Sequence, residues 1–304
     1  MLVLNDLIKI NLPTVVALGN FDSMHLGHQE LIKRSVDLAK QLGCLSVVFT
    51  FKKLPINVIT GHNVVKNVLT PEIKFSAIEK LGVDILINAD FNHEMQGMSP
   101  KDFVEVILKD TLNCSVAVCG YNYSFGYMGH GNPEILSMLT MRAGFDTMVM
   151  DEYKINDMTV SSTLIRKLLE DGNVDSYEMY TGRKYILSGT VIEGQHLGTR
   201  MGFPTVNLNL STDTVVPHNG VYVTNIYIDG TKYKSVTNIG NKPTVGEFGK
   251  NAETHVFGFD GNLYGKDVTI EFIHFLRPEF KFDSIEELEA QIAKDCEEAE
   301  KYIC

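Results

Sequence analysis

The first half of the chain alternates short apolar runs with an amphipathic segment. TVVAL at 14–18 precedes an amphipathic stretch at 28–42, and LSVVFTF follows at 45–51. In the amphipathic stretch, Leu31 and Leu38 belong to a set of apolar positions spaced as on one buried helix face. Three more runs are mostly apolar, as strands covered on both faces are: 83–88, 115–120 and 146–151. The pattern predicts an α/β fold with a doubly wound parallel sheet.

The pattern changes after about residue 182, where strand-like runs follow one another closely between Gly, Asn and Asp turns. These runs occupy 184–192, 220–228, 232–240 and 266–273. They predict an antiparallel barrel or sandwich. Ser284 and Glu287 then form a capping-box pattern before an apolar stripe, which predicts a terminal helix. We place the domain boundary between residues 182 and 183.

Composition agrees with two folded domains and narrows the partners. A chain of 304 residues exceeds the size at which a single core is usual. Its formal charge of −11 argues against broad nucleic-acid binding, and no apolar run is long enough to span a membrane. The five cysteines are scattered, as reduced thiols of a cytoplasmic protein are.

The first candidate site lies where the first strand meets the first helix. The segment LGNFDSMHLGHQELI places His25 just before the helix and His28 in its first turn. A helix N-terminus offers free N–H groups and partial positive charge, and two imidazoles add hydrogen-bond donors for a phosphate. Such a site would stabilise the charge that develops on a phosphate during group transfer. Ordinary surface or capping histidines, or a metal-binding pair, would produce the same pattern.

A second candidate element is VSSTLIR at 160–166. Ser161, Ser162 and Thr163 stand at a predicted helix start, with Arg166 one turn later. Hydroxyls, backbone amides and a guanidinium can converge there on one anion. Taken alone, the segment also fits a plain Ser/Thr N-cap followed by a solvated arginine.

Together these elements resemble a known superfamily. HxGH at the first strand–helix turn with SSTxxR at a late helix start resembles the nucleotidyltransferases, which have a Rossmann-like fold. The fuller pattern GNFDxxHxGH, GxNxxFG and SSTxIR resembles the FAD synthetase module of bacterial riboflavin kinase/FAD synthetases. The resemblance implies that the ATP site includes His25, His28, Asn122, Ser161, Ser162, Thr163 and Arg166. Its first-loop residues would be Gly19, Phe21 and Asp22.

A third candidate element is the run SGTVIEGQHLGTRMGFPTVNLNL. Thr205 and Asn207 would project from the same face of a strand, as hard oxygen ligands for Mg²⁺ that also binds ATP phosphates. Glycines would let the preceding loop approach those phosphates. The residues involved are Gly194, Gly198 and Gly202, followed by Pro204. A hairpin with glycine turns and two solvated polar residues remains an alternative interpretation.

The segment GFPTxN resembles the signature of riboflavin kinases. The resemblance continues in the family's order through PHNGVY at 217–222, TNIGNKPT at 237–244 and ETH at 253–255. It implies a six-stranded antiparallel β-barrel with a terminal helix. Glu253 stands at the position of the family's catalytic base, which takes a proton from the ribityl 5′-hydroxyl.

The resemblance therefore implies two activities: phosphorylation of riboflavin to FMN with Mg²⁺-ATP, and adenylylation of FMN to FAD. The expected partners are small molecules (ATP, riboflavin and FMN), with no nucleic acid and no membrane. The chain departs from the family pattern at Ser23, Leu54, Thr199 and Lys242. These differences leave two alternatives open: a monofunctional FAD synthetase with a silenced kinase domain, and a non-catalytic flavin-binding regulatory protein.

Overall fold

A computed structural model describes residues 1–193, 203–241 and 250–302. The chain divides into two compact units, Met1–Ser162 and Thr163–Cys304. This division falls about twenty residues before the predicted boundary at 182/183, because α8 (Val174–Thr181) and all but the first residue of α7 (Ser162–Glu170) are grouped with the second unit. Where the functional domains divide stays a prediction.

The first unit is built on a six-stranded parallel sheet with the order β1-β4-β3-β2-β5-β6. Its strands are β1 (Leu2–Leu4), β2 (Thr14–Leu18), β3 (Leu45–Phe51), β4 (Ile85–Ala89), β5 (Cys114–Gly120) and β6 (Asp146–Met150). All residues of β2 and β4 are buried, as their apolar runs predicted. The expectation that 146–151 is covered on both faces is wrong, because β6 forms a sheet edge and its Val149 is 41% exposed.

Helices connect these strands in the order that a parallel sheet requires. The helices are α1 (Leu26–Leu42), α2 (Pro55–Thr60), α3 (Pro71–Glu79), α4 (His93–Gly97), α5 (Pro100–Asp102) and α6 (Pro133–Ala143). Helix α5 continues as a π-helical segment over Phe103–Thr111. Helix α1 buries Leu31, Ile32 and Val36 and ends at Gly43, whose left-handed φ of 67° closes the last turn.

The second unit contains a closed antiparallel barrel with the strand order β10-β13-β12-β11-β14-β9. The strands are β9 (Tyr185–Ile192), β10 (Thr205–Asn209), β11 (Gly220–Ile228), β12 (Thr231–Asn241), β13 (Lys250–Val256) and β14 (Asp267–Arg277). Of the two architectures that the residue pattern left open, the barrel is the one formed. A small hairpin of β7 (Lys154–Ile155) and β8 (Met158–Thr159) belongs to the first unit.

Helix α9 (Ile285–Tyr302) closes the second unit against the outer surface of the barrel. The Glu287 amide donates to the Ser284 hydroxyl at 3.2 Å, as the capping pattern predicted. The Glu287 carboxylate accepts from the Asp283 amide, one residue earlier than a standard capping box. Ala299 and Cys296 pack on Val221 and Val223 of β11, so the predicted apolar stripe covers the barrel.

Candidate active sites

The loop from β2 to α1 is tightly folded. Phe21 and Met24 have φ values of 48° and 44°, and both side chains are fully buried. A positive φ is costly for residues with a side chain, so the surrounding contacts must hold this turn. The Asp22 carboxylate accepts from the Val68 amide at 3.0 Å and provides one such contact.

The loop brings the two predicted histidines together at the start of α1. His25 is the N-cap, and its Nδ1 accepts the His28 backbone N–H at 3.1 Å. Because Nδ1 is an acceptor here, a neutral His25 carries its proton on Nε2. The His25 and His28 rings stack with centroids 3.6 Å apart and an interplanar angle of 17°. The pair thus lies at a helix N-terminus, where an anion is favoured.

Gly27, between the two histidines, is needed for this arrangement. A Cβ atom there would lie 3.0 Å from the Tyr153 Cβ and 3.2 Å from the His25 ring. Both contacts are tighter than ordinary van der Waals packing. The glycine of HxGH therefore lets Tyr153 and His25 pack on the first turn of α1.

Two other predicted elements meet the same edge of the sheet. Strands β2 and β5 are neighbours, and Asn122 is exposed just beyond the carboxyl end of β5. In parallel sheets, ligands bind at such an edge where the strand order reverses. Ser162 Oγ lies 2.9 Å from Ser23 Oγ, so the start of the SSTxxR segment contacts the first loop. Thr163 and Arg166 belong to the second unit, and their approach to the histidines stays a prediction.

Lys74 is a residue of this site that sequence reasoning missed. It lies on α3, is 8% exposed, and donates from Nζ to the Asn20 carbonyl at 2.8 Å. It also donates to the Thr50 hydroxyl at 2.7 Å. Burial lowers the pKa of Lys74 to about 8, while the nearby Asp22 charge acts in the opposite direction. No motif in the sequence marked this lysine.

In the barrel, the predicted kinase residues form a polar row across three strands. Asn207 on β10 and Asn238 on β12 are both register partners of Glu253 on β13, which therefore lies between them. Thr205 is the register partner of His255. Residues opposite each other in neighbouring strands share a face of the sheet. The carboxylate and the two proposed metal ligands thus lie on one outer face of the barrel.

Side-chain contacts hold this row in place. Asn251 donates to Glu253 Oε1 at 2.9 Å, and within the described residues no hydrogen bond to Oε2 is found. His255 Nδ1 lies 3.0 Å from the Pro204 carbonyl, which fixes the start of β10. The Asn207 side-chain amide donates to the Thr205 carbonyl at 3.5 Å, so Asn207 Oδ1 is not used in that contact.

A cavity of about 340 Å³ opens beside the polar row, between the barrel and α9. This volume is in the range of small-molecule pockets, which combine apolar walls with a few polar groups. Thr205, Glu253 and His255 line one side of it. The apolar lining comes from Phe203, Val221, Val236, Phe280, Phe282, Leu288, Ile292 and Cys296. The cavity therefore combines apolar walls with the Glu253 carboxylate on one side.

An ion pair joins α9 to the barrel at the wall of this cavity. The Arg277 guanidinium donates to both carboxylate oxygens of Asp295, with an Nη2–Oδ2 distance of 2.6 Å. Their side chains are 14% and 4% exposed. Gln291 also donates to Asp295 at 2.8 Å. Because both charges are buried, losing one partner leaves the other charge poorly solvated.

We therefore expect Asp295→Asn to loosen α9, at a cost of about 3 kcal/mol. Hydrogen exchange of the α9 amides should become about 100-fold faster, since ~1.4 kcal/mol corresponds to a factor of ten. The matched control is Asp229→Asn, because the Asp229–Lys266 pair is exposed and such pairs contribute little. Equal exchange rates in the two variants would contradict this role for Asp295.

Comparison with known proteins identifies the family of both halves of the chain. A FAD synthetase family model matches residues 7–164, and a riboflavin kinase model matches 181–303. A bifunctional riboflavin kinase/FMN adenylyltransferase from Bacillus subtilis (strain 168) is 36% identical, over 95% of this chain and 92% of that protein. The chain belongs to the bifunctional riboflavin kinase/FMN adenylyltransferase family. The resemblance identified from the motifs is confirmed.

A second relative and one solved structure also match over most of the chain. The protein of the same name from Listeria monocytogenes is 33% identical, over 92% of this chain and 90% of that protein. Among solved structures, the Macrolide-efflux Protein from Streptococcus pneumoniae has a TM-score of 0.88 at 28% identity. That match covers 95% of this chain and 94% of the other. Within the described ranges, we find no helix long and apolar enough to cross a membrane.

The structure describes only some of the residues in the family motifs. Gly194, Gly198 and Gly202 lie outside the described residues, as do the departures at Thr199 and Lys242. The departure at Leu54 is described: Leu54 is 9% exposed and is the N-cap of α2, without a side-chain capping bond. The departure at Ser23 provides the contact with Ser162.

Proposed function

We propose that this chain phosphorylates riboflavin to FMN in the barrel and adenylylates FMN to FAD in the first unit, using Mg²⁺-ATP for both steps. The observation that carries the proposal is the combination of two sites in one chain. Glu253 borders an apolar cavity, and the stacked pair of His25 and His28 caps a helix N-terminus. The chain matches both family models, which favours this reading over a silenced kinase domain or a regulatory binder.

In the kinase step, we assign Glu253 as the general base. Asn251 holds Glu253 Oε1 at 2.9 Å, and Oε2 can then accept the proton of the ribityl 5′-hydroxyl. The hydroxyl oxygen attacks the γ-phosphorus of ATP, the bond from the γ-phosphorus to the bridging oxygen breaks, and ADP leaves. The cavity between the barrel and α9 would hold the isoalloxazine ring and exclude water. Binding the ring there orients the hydroxyl toward both the carboxylate and the phosphate.

The oxygens of Thr205 and Asn207 fit a magnesium ion that accompanies ATP. A hydroxyl and an amide carbonyl are hard, uncharged ligands, and Mg²⁺ keeps several water and phosphate oxygens around it. Asn207 Oδ1 is not engaged in the contact between the Asn207 amide and the Thr205 carbonyl. When bound, the ion would offset negative charge on the transferring phosphoryl group.

In the adenylyl step, an oxygen of the FMN phosphate attacks the α-phosphorus of ATP and pyrophosphate leaves. Negative charge grows on the α-phosphate as this bond forms. His25 Nε2–H, the His28 side chain and the positive end of the α1 dipole would stabilise it. We assign Asn122, Ser161 and Ser162 to ATP binding at the same edge of the sheet, and Thr163 and Arg166 stay predicted ATP-binding residues.

We further propose that the protein is a cytoplasmic enzyme of small-molecule substrates. Cys44, Cys114, Cys119 and Cys296 are unpaired thiols among the described residues. Burial raises the pKa of Cys119 to about 12, so its thiol stays protonated at neutral pH. The charge of −11 gives little reason to expect nucleic-acid binding.

Two single-site variants test whether the two steps occupy separate sites. We expect His28→Ala to convert riboflavin only as far as FMN, and Glu253→Gln to convert FMN but not riboflavin to FAD. An equal mixture of the two variants, given riboflavin and Mg²⁺-ATP, should then make FAD. If His28→Ala accumulates no FMN, or if Glu253→Gln fails to convert FMN, the assignment of one activity to each site is wrong.

A further inference from the structure

A buried cation lies directly behind the first loop. Within the described residues, Lys74 forms no ion pair with a carboxylate, and its ammonium is held by the Asn20 carbonyl and the Thr50 hydroxyl. Lysine is almost never buried without a charged partner. Burial lowers the pKa of Lys74 to about 8, which means that the charged side chain is less stable at this position than in water. At neutral pH the buried ammonium therefore lowers the stability of the fold. A residue that costs stability is more readily explained by function than by folding.

The contacts of Lys74 reach the residue that opens the loop. The Thr50 hydroxyl also donates to the Asn20 carbonyl, at 2.9 Å, so Lys74, Thr50 and Asn20 form a closed triangle. Asn20 immediately precedes the positive-φ turn at Phe21. Five residues after Asn20, His25 caps α1. Because this segment is short, a shift of Asn20 would also move the His25 cap.

The segment before α3 holds the same loop from a second point. The Val68 amide donates to Asp22, and Lys74 follows one turn into α3. Thr50 and Asn20 do not titrate, so Asp22 is the ionisable group identified as acting on the ammonium. At neutral pH the lysine adds a positive charge beneath a loop that leads into a phosphate-directed helix N-terminus.

We propose that Lys74 is a positioning residue for adenylyl transfer: its buried ammonium fixes the Asn20 carbonyl, and with it the first loop and the histidine pair. The proposal rests on the adenylyl transfer proposed above. Lys74 acts through the loop and is not assigned a contact with substrate. Its charge favours the loop geometry that binds the anionic phosphates.

The first test compares Lys74→Met with Lys74→Arg. In Lys74→Met the Asn20 carbonyl keeps its bond from Thr50, so no buried acceptor is left unpaired. We expect kcat/KM for FAD formation to fall by about 10- to 100-fold, as small misplacements in active sites do. Lys74→Arg should recover most of that loss, and FMN formation by the barrel should stay unchanged. Lys74→Met activity within twofold of the wild type would overturn the proposal.

A thermal scan separates positioning from simple folding. Removing a desolvated charge should leave the unfolding temperature of the first unit at pH 7 unchanged or higher, although FAD synthesis falls. A lower unfolding temperature that accounts for the lost activity would mean that Lys74 serves only the fold. That result would also overturn the proposal.

The pH dependence gives a readout that a merely structural lysine would not change. The kcat/KM of the wild type for FAD formation, which reports the free enzyme, should fall with a midpoint near pH 8 as Lys74 loses its proton. Lys74→Arg should keep its activity through this range, because arginine stays charged. The same alkaline fall in both proteins would contradict the proposal.

Stability should move in the opposite direction over the same range. Below pH 8 the lysine is protonated in both the folded and the unfolded protein. Between pH 8 and about 10.5 the folded protein has lost this proton while the unfolded chain still holds it, so folding stability contributed by Lys74 rises with pH. Lys74→Met should lack this rise. The two possible failures can be told apart. A wild type that forms no FAD contradicts the proposed function, whereas a wild type that forms FAD together with an equally active Lys74→Met contradicts the Lys74 proposal.

Discussion

Replacing Glu253 by Gln should reduce FMN formation from riboflavin by about 10²- to 10⁴-fold, the usual contribution of a positioned general base. Glutamine keeps the size of the side chain and can still pair with Asn251, so the barrel should remain folded. It cannot accept the proton of the attacking hydroxyl. The measurement is the initial rate of FMN production with saturating riboflavin and Mg²⁺-ATP.

Two comparisons make this result specific. Formation of FAD from added FMN should be unaffected, because that step is assigned to the first unit. Glu297→Gln, on the exposed surface of α9, should match the wild type in both reactions. If Glu253→Gln formed FMN at the wild-type rate, Glu253 would not be the general base.

His28→Ala should reduce FAD formation by about 10²- to 10³-fold, as losing one donor to a developing oxyanion does. The side chain is lost, but the His28 backbone N–H that pairs with His25 Nδ1 remains. The helix cap is therefore expected to survive, and the effect should be on kcat more than on folding. The measurement is FAD production from FMN and Mg²⁺-ATP under saturating conditions.

The control for His28→Ala is His62→Ala. His62 is an exposed histidine of the same unit, and it lies after α2 rather than at the histidine pair. Its replacement should leave both reactions intact, and FMN formation should persist in both variants. If His28→Ala forms FAD at the wild-type rate, the histidine pair does not stabilise the transferring phosphate.

Local sequence patterns predicted the elements that carry both sites. The strands β2, β3 and β11 have the same bounds as the apolar runs that predicted them. The position of His25 as the N-cap of α1 also followed from the sequence, since a strand, a turn and an amphipathic stretch occur in succession. Such information is contained within about thirty residues.

The features that sequence reasoning missed depend on residues far apart in the chain. Lys74 contacts Asn20 and Thr50 because α3 packs beside the carboxyl ends of β2 and β3, which no local pattern specifies. Arg277 lies on β14 and Asp295 on α9, and the sequence does not show that this strand and this helix pack together. The placement of Glu253 between two asparagines required the strand register of the closed barrel.

Two edges of the parallel sheet show the same limit. The three-residue β1 was missed because Leu2–Leu4 is too short to produce an alternation, and it becomes a strand only by pairing with β4. The exposure of β6 was misjudged because an edge strand and a central strand can have equally apolar sequences. Position in the sheet, rather than composition, determines which faces are covered.

The most direct test of the account is to incubate the purified wild-type protein with Mg²⁺-ATP and either riboflavin or FMN, and to separate the flavins by chromatography. The account predicts FAD from both substrates, with FMN appearing as an intermediate when riboflavin is supplied. Conversion of FMN but not riboflavin would contradict the kinase assignment at Glu253, and an absence of FAD from both would contradict the adenylyl transfer assigned to the histidine pair.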